Sequence, residues 1–135
     1  VTDERYQRGL AVRREVLGDA HVDAATAGGT EFAAPFQAYL TGAAWADVWS
    51  RPGLDRRTRS CLTLALLAAL HCEEELVIHV RGAVRNGLTA AEIGEVLLHT
   101  AVYAGVPAAN SAFRVAQRTL ADLGDPAAAP AQPPS

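Results

Sequence analysis

The chain has 135 residues, half of them apolar, with 12 basic against 15 acidic side chains and a formal charge of −3. That length suits one core, the apolar share is too high for a disordered chain, and a faintly acidic balance with no basic face argues against a nucleic-acid partner. The longest uncharged apolar run, 61–70, falls far short of the ~20 residues of a membrane span, and the charged opening VTDERYQRGLAVRREVLG has no secretory pattern, so a cytoplasmic address is expected by default.

Strand signals are scarce, whereas helix punctuation is plentiful. A first helix is expected to start at Thr2 or Asp3 and stop at Gly18, with Leu10, Val12, Val16 and Leu17 in its apolar set. Residues 19–27 form a short helix closed by Gly28-Gly29. Residues 30–44 read as another, with Pro35 tolerable near its first turn, and the segment from Trp45 to Trp49 adds one more turn. Arg51-Pro-Gly-Leu54 then breaks the chain.

Asp55 is the N-cap of a helix running from Arg56 to about Leu70. Its apolar positions are almost continuous, which places it in the middle of a bundle or against another subunit. The next helix starts near Glu73, since three glutamates suit a positive first turn, and closes at Asn86-Gly87. Thr89 and Glu92 have capping-box spacing and open a helix that Gly105 ends. Pro107 begins the last helix, which continues to Leu123. The expectation is an all-α, single-domain bundle of six to seven helices over 1–123, followed by a disordered Pro/Ala tail at 124–135.

Glu75 and His79 are the candidates for chemistry. At i and i+4 they share one helix face, where a carboxylate tunes an imidazole and fixes its tautomer, making an acid–base unit. The same spacing also describes an ordinary ion pair on a solvated helix. His71, Cys72, Glu75 and His79 trace an arc that a metal could use, but no second cluster completes a site unless His21 or His99 does so in three dimensions; such a string is more often a helix junction with a buried thiol, and no metal is expected. Cys61 and Cys72 are eleven positions apart, so neither a C-x-x-C redox pair nor a disulfide framework is indicated. Arg51, Arg56, Arg57 and Arg59 flank the turn before the apolar helix, and guanidinium groups fork onto carboxylates, so an anionic small substrate is chemically sensible. Trp45 and Trp49 share a face and read as core or interface anchors; His21 and His99 read as structural.

Three long segments carry a family resemblance: RYQRGLAVRREVLGDAHVD, WADVWSRPGLDRRTRS and EEELVIHVRGAVRNGLTAAEIGEVLLHTAVYAGVPAANSAF. In that order they resemble the γ-carboxymuconolactone decarboxylase family of the alkylhydroperoxidase D-like superfamily, from Arg5 to about Leu123. The resemblance implies an all-helical subunit that assembles into homo-oligomeric rings, trimers or hexamers. It implies loss of CO2 from γ-carboxymuconolactone to give the β-ketoadipate enol-lactone, with no cofactor; the alternative readings are a decarboxylase or isomerase of a related lactone, or a non-catalytic helical oligomeric binding module. The redox relatives carry Cys-x-x-Cys with a histidine four residues after the second cysteine. Cys72 matches the first cysteine, Glu75 replaces the second and His79 matches the histidine, so thiol chemistry is lost and the acid–base half is kept. Under this resemblance His79 is the acid or oxyanion donor and Glu75 orients it or supplies the proton. Arg51 or Arg59 holds a substrate carboxylate, and His21 lines the pocket. The match weakens over 31–41, which bears on substrate preference.

Overall fold

The computed structural model describes residues 3–129. It is all-α: α1 (Glu4–Leu17), α2 (Asp19–Ala27), α3 (Ala34–Leu40), a π-helix (Thr41–Trp49), α4 (Arg56–Ala69), α5 (Glu73–Arg85), α6 (Ala90–Ala104), α7 (Val106–Asp122) and a 3₁₀ turn (Pro126–Ala128), with no strand among the described residues. The chain forms two compact units, 1–59 and 60–135, each with its own core.

In the first unit Asp3 caps α1 by accepting the Arg5 N–H at 2.9 Å. The π-helix packs along α1, burying Trp45 and Trp49 on Val12 and Val16. Gly9 permits this approach: a Cβ there would collide with the carbonyl of Thr41 and sit 3.2 Å from the Ala46 methyl. Arg5 ties the two helices at the surface, donating from Nε and Nη2 to Asp47 at 2.9 and 2.6 Å. Where one helix was expected from residue 30, the structure has a turn at 31–33, then α3 with Pro35 in its first turn, then π geometry. Long π-helices are rare because their hydrogen bonds are poorly nucleated. This one coincides with the close crossing at Gly9, a long-range contact that local propensity does not report.

In the second unit α7 packs on α5 and α6. Leu64, Leu76, Ile93 and Leu97 are fully buried, each contributing about 1.5–3 kcal/mol by leaving water. The capping box at Thr89 and Glu92 is formed in both directions, at 3.0 and 3.1 Å. Asn86, ending α5, donates its side-chain amide to the buried Ser60 Oγ of α4 at 3.1 Å.

Two expectations need correction. Of the two placements expected for α4, the middle of a bundle is not found: it inserts Ser60, Leu64 and Ala68, while Leu62, Leu66 and, just past its end, Leu70 are 49%, 60% and 69% exposed. A fourfold spacing puts those three leucines on one stripe, away from the buried set. The tail is also ordered over its first residues. Asp125 caps the 3₁₀ turn and Ala128 is buried in the core, because a small side chain after Pro126 can fold back on Leu120. The remainder of the expected disordered tail, 130–135, lies outside the described residues.

Candidate functional site

α5 carries the acid–base candidates. Leu76, Val80 and Ala83 are buried and fix which side of the helix faces the core. Position 79 adjoins Val80 on the helical circuit, so His79 is half-buried at the edge of the core face, and Glu75, one turn earlier, is exposed. Cys72 occupies the N-cap position and lies three and seven residues before them on the same stripe. It makes no side-chain cap; its thiol donates to the Leu70 carbonyl at 3.7 Å. Glu73, Glu74 and Glu75 fill the first turn, where the helix dipole favours negative charge.

The entry into α5 is built unusually. The N–H of Cys72 bonds the Leu67 carbonyl at 2.9 Å and that of His71 bonds the Ala68 carbonyl at 3.2 Å, the paired hydrogen bonds of a Schellman stop. The residue at its left-handed position is normally glycine. Here it is His71, with φ +57°, a conformation that costs a non-glycine residue about 1–2 kcal/mol. Strain of this kind tends to persist where the surroundings over-determine the chain, and here it immediately precedes the Cys72–Glu75–His79 stripe.

The other three candidates lie in the first unit. Arg51 is exposed in the turn after the π-helix, and its carbonyl accepts from Arg59 Nη2 at 3.3 Å, so these two residues are brought together through main chain. Asp55 accepts the Thr58 N–H at 2.7 Å and opens α4 as expected. Arg56 is committed to Glu15 at 2.8 Å. His21, half-buried on α2, has its imidazole pKa pushed down, first by burial and then by the charge of Arg13. Among the described residues no three His, Cys, Asp or Glu side chains gather as a metal would require. Neither Cys61 nor Cys72 is in a disulfide.

Arg13 was missed in the sequence. It is buried in α1 beside a cavity and influences His21. Its signal was present: Gly9, Val12, Arg13 and Val16 follow the i, i+3, i+4, i+7 spacing of a core face, with an arginine in one of the four positions.

Comparison with known proteins agrees with this architecture. The model of the carboxymuconolactone decarboxylase family matches residues 34–118. The chain is 46% identical over 122 residues to the 4-carboxymuconolactone decarboxylase of Acinetobacter baylyi, covering 90% of this chain and 91% of that one. It is 45% identical over 120 residues to a nitrosuccinic acid decarboxylase of Metarhizium robertsii, covering 89% and 84%.

Proposed function

The chain belongs to the carboxymuconolactone decarboxylase family, and from that membership we propose that it decarboxylates γ-carboxymuconolactone to the β-ketoadipate enol-lactone without a cofactor. The observation that carries this reading is near-end-to-end identity of 46% with a protein named for that reaction. The substrate supplies its own electron sink. As CO2 leaves, the electron pair of the breaking C–C bond is delocalised through the unsaturated lactone to its carbonyl oxygen as a dienolate, and a proton then returns to carbon.

Two tasks therefore fall to the protein: stabilising the oxyanion and delivering the proton. A well-aimed hydrogen-bond donor at the developing charge is worth about 3 kcal/mol. His79 is the proposed donor, standing at the border of the core face, and Glu75 one turn away sets its orientation or supplies the proton. Arg51 and Arg59 are the proposed carriers of the substrate's carboxylate, with His21 lining the pocket. The gripped carboxylate is the acetate arm, because a guanidinium holding the departing group would stabilise the ground state.

The working form is a homo-oligomer, trimer or hexamer, in the cytoplasm. The stripe Leu62, Leu66, Leu70 supports assembly, as do Leu98, Val102 and Tyr103 exposed on α6. A second substrate reading has a specific motive, since the chain is almost equally similar to a nitrosuccinic acid decarboxylase. The test is to supply freshly generated γ-carboxymuconolactone, and separately nitrosuccinic acid, to the wild type and to His79→Ala. Ultraviolet absorbance and CO2 release are followed. Lactone turnover lost by orders of magnitude in a folded His79→Ala supports both function and site. Equal turnover in both proteins removes His79 from the mechanism, and turnover of nitrosuccinic acid alone replaces the substrate.

A further inference from the structure

The first unit contains a cavity of about 490 Å3 walled by α1, α2, the turn at 28–33, α3 and the start of the π-helix. Its lining includes the apolar Leu10, Ala34 and Ala38 together with Arg13. Arg13 is 9% exposed, and its Nη1 donates to Gln37 Oε1 at 3.3 Å. Its buried Nε–H has no hydrogen-bond acceptor among the described residues. Nor does Arg13 have an ion pair there, whereas Arg5, Arg14 and Arg56 pair with Asp47, with Asp19 and Asp23, and with Glu15. Burial pulls the guanidinium below its ordinary pKa, and the one influence opposing this is Tyr6, also in the cavity wall. A buried cation with an unused donor is costly, and proteins keep one where an anion meets it.

We propose that this cavity is a binding site for a small monocarboxylate, its carboxylate on the Arg13 guanidinium and its hydrocarbon tail against Leu10, Ala34 and Ala38. A guanidinium edge matches the two oxygens of a carboxylate. The Thr30 hydroxyl accepts the Ala33 N–H at 3.1 Å, which leaves its own O–H to donate at the cavity wall. Glu31 stands exposed in the same wall and disfavours dianions, so a single negative charge fits better than phosphate. The site stands independently of the decarboxylase reading, because it rests on no substrate and on neither Glu75 nor His79.

Titration calorimetry of the full-length protein with pentanoate, its uncharged isostere pentanamide, and inorganic phosphate tests the proposal. Pentanoate is expected to bind, with pentanamide weaker by about tenfold or more, the usual worth of a hydrogen bond to a charged group. Arg13→Gln should lose the preference for the anion, and Arg13→Lys should keep part of it. No pentanoate binding by the wild type, equal binding of pentanamide, or undiminished binding by folded Arg13→Gln would each overturn the site. Tighter binding of phosphate would overturn the monocarboxylate assignment. The isostere comparison uses wild type alone, so a variant that fails to fold does not rescue the proposal.

Discussion

Replacing Gly9 by alanine tests the close crossing in the first unit. In an unobstructed helix this change should stabilise by up to about 1 kcal/mol, because alanine lowers the entropy of the unfolded chain and favours helix. At position 9 the added methyl meets the Thr41 carbonyl, and a backbone atom inside a packed helix cannot rotate aside as a side-chain tip can. Overpacking of this kind costs about 1–3 kcal/mol, and a main-chain obstacle belongs at the upper end. The net expectation is a loss of about 1–2 kcal/mol, or roughly 4–7 °C in Tm for a chain of this length. Gly94 on α6 is the matched control: a Cβ there meets nothing within 4 Å, so Gly94→Ala should raise Tm by roughly 2–3 °C. Both are read by thermal melts under identical buffer and protein concentration. A Gly9→Ala protein as stable as the wild type would refute the argument that glycine is required for the helices to meet.

Other outcomes follow from particular residues. His71→Gly should stabilise the protein by about 1 kcal/mol, measured by urea denaturation, since glycine adopts the left-handed stop of α4 without steric cost. His21 has a folded pKa below its ordinary value, so its contribution is fully present when neutral and is lost as pH falls from the usual histidine range through the lowered value. His21→Gln should therefore flatten stability against pH below about 6.5, as followed by denaturation midpoints. Leu66→Glu, on the exposed stripe of α4, should shift the assembly toward smaller species by light scattering while helix content is retained; an unchanged mass would exclude that stripe from the subunit interface.

Most helix boundaries were legible because they are written in local chemistry. Asp3, Asp55 and the Thr89–Glu92 box cap where their side chains imply, and Gly18 and Gly105 close helices at positive φ. What stayed illegible depends on distant contacts or on the absence of them. The π geometry of 41–49 goes with packing on Gly9, thirty-two positions before Thr41. The exposed leucines of α4 and the left-handed His71 break rules that composition alone enforces. At the candidate site, spacing was enough to put Cys72, Glu75 and His79 on one stripe. It could not reveal that Arg13 is buried beside a cavity, because a charged residue in a core-face position looks like an error in the pattern until the fold is seen.

Trp45 and Trp49 give the molecule an optical asymmetry. They are its two tryptophans, and both belong to the core formed with Val12 and Val16, their rings 5.2 Å apart and tilted by 30°. Indole emission therefore reports the first core alone, and ring pairs this close couple electronically, leaving a signature in the ultraviolet dichroism. Backbone ellipticity, by contrast, sums every helix. A melt recorded by both signals would show where a perturbation acts: Gly9→Ala should move the fluorescence transition, whereas Gly94→Ala should be seen first in the helical signal.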